Sequence, residues 1–138
     1  MNAVDTNIFN YSVDQNEPVK QIKAQQLLQQ LHSATEPTVM LWQVLGELVQ
    51  QFRRWENLNK MTHAEFMQRV HSFRHLFPLV LPTVEVLDHA LELSERHSLS
   101  HWDSMILGAC QAVGITTLHT EDMGAPRIIE GIKLSNPF

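Results

Sequence analysis

Short apolar runs alternate along this chain with longer stretches of helical periodicity, and that alternation limits the possible folds more than any other feature. Ala3-Val4, Val39-Met40-Leu41, Leu76 to Leu81, Ile115 to His119 and Gly131 to Leu134 are too short for buried helices and read as strands. The first begins almost at residue 1. Between most of them lie segments of ten or more residues with apolar positions three and four apart. Strands joined by such helices need right-handed crossovers and become parallel neighbours, with the sheet covered on both faces. The expected class is α/β, a three-layer α/β/α sandwich around a mainly parallel sheet.

Local signals set the helices. Asp14, Asn16 and Glu17 before Pro18 are start signals for a helix from about Glu17 to His32. Val19, Ile22, Ala24, Leu27, Leu28 and Leu31 should face its buried side. Glu36-Pro37 breaks the chain. A second helix, about Trp42 to Asn57, carries the stripe Val44, Leu45, Leu48, Val49 and Phe52. Thr62-His63-Ala64-Glu65 is a capping-box pattern that opens a third helix through about His75. Thr83 should cap a fourth through about His97, with Val86, Leu87, Ala90, Leu91 and Leu93 on its apolar side. Ser100 can cap a fifth from about His101 to Val113, which Gly114 can end. Thr6 to Tyr11 reads as strand exit and loop. Pro78 predicts an irregular start or an edge position for the run from Leu76 to Leu81.

At 138 residues the chain reads as one domain, residues 1–138, without repeat, low-complexity tract or linker. The absence of any apolar run near membrane-span length, and of a basic-then-apolar leader, points to the cytoplasm and away from a membrane. The single cysteine, Cys110, leaves no intramolecular disulfide and no sulfur cluster for zinc, and its Ala-Cys-Gln-Ala setting suits a small core residue.

Four acids stand out because their surroundings are apolar or strand-like. Asp5 follows the first strand in Val4-Asp5-Thr6-Asn7, at the carboxyl end where open α/β sheets gather ligands. Glu47 lies beside the apolar stripe of its helix. Asp103 falls in the first turn of the last helix, near its positive end. Asp122 follows the strand Ile115–His119 through Thr120-Glu121. Taken singly, each suits a plain role as a turn, cap or boundary residue. Acids in core-like sequence are costly to bury unless paired or metal-bound, and several at strand rims point to one shared site for magnesium or manganese. Thr6, Asn7, Ser104 and Thr120 are placed to orient those ligands.

Charge does not decide the substrate. The net charge is −5, and setting the four acids aside leaves −1 for the rest of the chain. A bound divalent ion would turn an acidic site into a phosphate-attracting one. Arg53, Arg54, Lys60, Arg69 and Arg74 form the densest basic region, suited to a solvated face or to a phosphate backbone. Trp42, Trp55 and Trp102 read as core or interface anchors in preference to base-stacking platforms. The histidines read as surface or helix-end residues. No GxGxxG or P-loop is present, and no Ser or Cys nucleophile with a paired histidine stands out.

Together these residues resemble the PIN domain, in the small bacterial form of VapC-like toxins from toxin–antitoxin pairs. The resemblance rests on Val4-Asp5-Thr6-Asn7, Gly46-Glu47-Leu48, Trp102-Asp103-Ser104-Met105-Ile106, Thr120-Glu121-Asp122-Met123 and the closing Asn136-Pro137-Phe138, in that order. Trp42 and Ser104 depart from the pattern, where a small hydroxyl residue and an alanine are frequent; neither removes an acid. The resemblance implies a PIN fold and an Mg²⁺- or Mn²⁺-dependent endoribonuclease. Its catalytic and metal-binding acids would be Asp5, Glu47, Asp103 and Asp122, with Glu121 as an adjacent contributor and Thr120 as a polar helper. It also implies an RNA substrate, a VapB-like antitoxin partner and a homodimer. A non-catalytic PIN-fold module that binds RNA or protein is the alternative. A phosphatase-like site with Asp5 as phosphoryl acceptor fails, because Asn7 stands where a second Asp is wanted and no helper lysine is evident.

Overall fold

The computed structural model describes residues 1–138. Six strands, β1 (Asn2–Val4), β2 (Thr38–Leu41), β3 (Leu79–Val80), β4 (Thr117–His119), β5 (Arg127–Ile129) and β6 (Ile132–Ser135), form one sheet. Their order is β3-β2-β1-β4-β6-β5. Every neighbouring pair is parallel except β5–β6. The helices are α1 (Thr6–Val13), α2 (Pro18–Ser33), α3 (Trp42–Asn57), α4 (His63–Leu76), α5 (Val84–His97) and α6 (His101–Val113). α1 packs on α2 and α3, α3 packs on α4, and α5 pairs with α6. The sheet is therefore flanked by helices, as the α/β/α expectation required. All of β1 and β2 is buried, because a parallel strand covered on both faces has no solvent side.

Chain order places the site. From β1 the chain crosses to β2 on one side, while β4 pairs with β1 on the other. The crevice beyond the carboxyl ends of β1 and β4 is thus a topological switch point, where such sheets bind ligands.

The caps follow their local chemistry. Thr62 Oγ1 accepts from Glu65 N at 3.1 Å while Glu65 Oε2 accepts from Thr62 N at 3.0 Å, a complete capping box. Ser100 Oγ accepts from Asp103 N at 3.2 Å, and Gly114 ends α6 at φ +74°. α5 and α6 approach closely at Gly108, where a β-carbon would lie 2.5 Å from the Val86 carbonyl oxygen.

Several expectations fail. Thr6 to Tyr11 is helix α1, because the Asp5 carboxylate caps its first turn directly after the strand. The run Leu76 to Leu81 is mostly not strand: α4 continues through Leu76, and only Leu79–Val80 pair, at the sheet edge where Pro78 is tolerated. Strand β5 was missed. It forms a hairpin with β6 through Glu130-Gly131, both at positive φ (45° and 85°), the geometry of a tight two-residue turn. Thr83 precedes α5 without a side-chain cap bond. Val19 and Ile22 on α2, and Leu87 and Leu91 on α5, are exposed, because each helix buries only a narrow stripe: Ala24 and Leu28 on α2, and Val86, Ala90 and Leu93 on α5.

Candidate active site

Asp5 is fixed where β1 ends. Its backbone N–H donates to the His119 carbonyl at 2.9 Å, continuing the β1–β4 pairing. One carboxylate oxygen accepts from Thr6 N at 2.7 Å, and the other accepts from Thr120 Oγ1 at 2.7 Å. Thr120, fully buried after β4, also accepts from Asp122 N at 3.0 Å and so ties the second strand end to the first. Asn7, in the first turn of α1, donates through Nδ2 to Asp122 Oδ2 at 3.0 Å, and makes 3.4 Å contacts to Asp5 and Thr120. Its Oδ1 is buried without a partner.

The remaining two acids arrive on helices. Glu47 of α3 accepts from Thr6 Oγ1 and from Gln43 Nε2, each at 2.7 Å. Asp103 sits in the first turn of α6, and its carboxylate has no hydrogen-bond partner within the chain. Asp5, Thr6, Asn7, Glu47, Asp103 and Asp122 all line one cleft of about 580 Å³. Three other expected residues stand outside it. Thr120 lies behind Asp5, and Ser104 is buried with Oγ donating to the Ser100 carbonyl at 2.8 Å. Glu121 turns away and accepts from Tyr11 Oη at 2.6 Å and Lys20 Nζ at 2.7 Å, which anchors the segment that carries Asp122. Burial opposes the charge on Glu121, but those two bonds outweigh it and hold its carboxyl below the usual range.

Electrostatics single out Asp5. Burial, opposed by its bonds from Thr120 and Thr6 and assisted by the charges of Glu47 and Asp122, raises its pKa from 3.8 to about 6. A carboxylate so placed gains from a nearby cation.

The cleft also contains residues whose place the sequence did not reveal. Asn10, Gln50, Gln51, Arg54 and Trp102 share its wall. Arg54 stands seven residues beyond Glu47, two helical turns along one face, and that spacing was the available signal. Trp42 and Trp102 are not core anchors: they are 52% and 62% exposed, whereas Trp55 packs against the core. His119 is not at a helix end but on β4, half-buried, with a buried, unpartnered Nε2.

The cleft's donors suit a hard divalent ion. The carboxylates and the Thr6 hydroxyl present oxygen, and no thiolate or imidazole lines the cleft. No three acidic side chains converge at direct coordination distance, since Asp5, Glu47 and Asp122 are each held by their own hydrogen bonds. Magnesium commonly binds through one or two carboxylates and retained waters, so this spacing is compatible with it.

A model of the PIN domain family matches residues 3–130. No curated protein matches the chain by sequence. Among solved structures, a toxin–antitoxin complex from Klebsiella pneumoniae aligns at TM-score 0.72 and 16% identity, over 100% of this chain and 98% of that one. VapBC2 from Rickettsia felis, bound to a DNA fragment from its promoter, aligns at 0.70 and 17%, over 98% and 97%. VapC20 from Mycobacterium tuberculosis, described as a sarcin–ricin loop cleaving toxin, aligns at 0.65 and 18%, over 90% and 92%. These likenesses are likenesses of fold. With its family model spanning nearly the whole chain and its four acids gathered at the sheet's switch point, the chain belongs to the PIN domain family.

Proposed function

We propose that this protein is a divalent-metal-dependent endoribonuclease acting as the toxin of a toxin–antitoxin pair. One observation carries the reading: Asp5, Glu47, Asp103 and Asp122, from four separate segments, face a single cleft. Membership of the PIN family and the VapC and VapBC fold relatives support it. Residues 1–138 are taken as one domain that acts in the cytoplasm.

In this reading the four acids would hold Mg²⁺ or Mn²⁺, which when bound would supply charge neutralisation at the scissile phosphate and lower the pKa of a water there. The chain's own residues do the rest. Thr120, Thr6 and Asn7 fix the carboxylates of Asp5 and Asp122. Thr6 and Gln43 fix Glu47. Asp103, whose carboxylate makes no hydrogen bond within the chain, has one oxygen for the ion and one to accept a hydrogen bond from the attacking water and orient it toward phosphorus. The water oxygen forms a new bond to phosphorus as one phosphodiester P–O bond breaks; the water's proton passes to solvent, and the oxygen that leaves takes one up from solvent.

The proposed partner is a VapB-like antitoxin. The fold relatives solved as toxin–antitoxin complexes support this, as does an apolar cleft of about 720 Å³ that shares Glu47, Gln50 and Trp102 with the acidic one. A homodimer is proposed on the exposed apolar residues Val84, Leu87 and Leu91 of α5.

The test is cleavage of total RNA by purified protein with Mn²⁺, Mg²⁺ or chelator, with Asp5→Asn alongside. Discrete cuts that need metal and vanish in the variant are expected. Folded protein that cuts nothing would favour the non-catalytic binding module, and undiminished cutting by Asp5→Asn would sink the assigned site.

A further inference from the structure

Two side chains in the acidic cleft, those of Trp102 and Arg54, make no ion pair and no hydrogen bond within the chain. Trp102 stands at the lip, directly before Asp103, and is 62% exposed. Its one aromatic contact is edge-on to the neighbouring His101 at 4.7 Å, which leaves an indole face open. Arg54, on the α3 wall, belongs to none of the ion pairs, although four carboxylates line the same cleft. The structure thus places an open aromatic face and an unpaired guanidinium around the acids.

This pairing is what a nucleic-acid strand needs beside a cleavage site. Phosphates bind guanidinium in a forked, charge-assisted geometry. Unpaired bases stack on aromatic faces with little regard to sequence, at roughly 1–3 kcal/mol per base. A base inside a duplex offers no such face. Resting on the ribonuclease reading above, we propose that Trp102 stacks an unpaired RNA base next to the scissile linkage and that Arg54 binds a neighbouring backbone phosphate. Trp102 also borders the apolar cleft, so a protein-docking role for it is the competing outcome.

The test measures binding separately from cutting. The full chain carrying Asp5→Asn is titrated, with Mn²⁺ present, into fluorescein-labelled single-stranded oligoadenylate and followed by anisotropy, and the same strand annealed to its complement serves as the paired probe. Trp102→Ala should weaken single-strand binding about tenfold, and Trp102→Phe should recover most of it. Arg54→Ala should weaken binding and flatten the logarithmic salt dependence by about 0.7, the share of one single-strand phosphate. Arg54→Lys should keep that slope. Unchanged thermal midpoints separate these effects from misfolding, and the Phe and Lys variants decide the matter if an Ala variant fails to fold. Equal binding by all variants, or equal affinity for the duplex, would overturn the inference and assign Trp102 to protein docking. The parent reading fails separately, if the wild-type chain binds oligoadenylate through these residues yet cuts no RNA with any metal.

Discussion

The hydroxyl of Thr120 donates to a carboxylate oxygen of Asp5 across 2.7 Å, in a buried contact between the ends of two adjacent strands. The Thr120 hydroxyl oxygen in turn accepts from Asp122 N, so one side chain spaces two acids of the cleft. Thr120→Val keeps the shape but leaves a buried carboxylate oxygen and the Asp122 N–H short of a partner. It should lower stability by about 1–3 kcal/mol and reduce RNA cleavage, whereas Thr120→Ser should preserve both. Urea unfolding and cleavage rates compared across the two variants check this. Equal behaviour of Val and Ser would argue against a positioning role for the hydroxyl.

Asp5 should make the protein less stable as pH rises. Its folded pKa of about 6 lies above the ordinary 3.8, so its contribution is fully present below pH 3.8 and is lost as pH rises through about 6. Asp5→Asn removes that dependence. Near pH 8, without metal, the variant should be more stable by up to roughly 3 kcal/mol, an advantage that disappears toward pH 4. Thermal midpoints across this range decide it; a constant difference would mean that the carboxyl is not held in its neutral form.

Metal should reverse that penalty. If the cleft binds Mn²⁺ or Mg²⁺, the ion competes with protons for the carboxylates, and the rise in thermal midpoint it causes should be larger at pH 8 than at pH 5. Asp103→Asn should diminish the rise. A rise of equal size in Asp5→Asn would place the bound ion elsewhere.

Gly108 and Gly46 should respond in opposite directions to a single methyl group. At Gly108 the added β-carbon would meet the Val86 carbonyl at 2.5 Å, so Gly108→Ala must separate α5 from α6 at a cost of about 1–3 kcal/mol. At Gly46, inside α3, nothing lies within 4 Å, and Gly46→Ala should stabilise by roughly 0.5–1 kcal/mol through helix propensity. Denaturation midpoints of the two variants, moving in opposite directions, would bear this out.

Periodicity and capping residues by themselves determined the α/β class, five of the six helices and the strand-end position of Asp5, because these depend on interactions a few residues apart. The capping box at Thr62 and Glu65 and the stop at Gly114 are wholly local and formed as expected. Helix α1 was missed because Asp5 reads equally as a strand end and a cap, and only the structure shows its carboxylate bonded to Thr6 N. β5 was missed because its pairing depends on the turn at Glu130-Gly131. Tertiary structure alone decided which acids share a cleft. Glu121 and Asp122 are adjacent in sequence, yet Lys20 and Tyr11 draw one away while Asn7 binds the other at the cleft. It also decided that Trp102 and Arg54 stand beside those acids, because the cleft gathers residues up to 117 positions apart, beyond the reach of any local pattern.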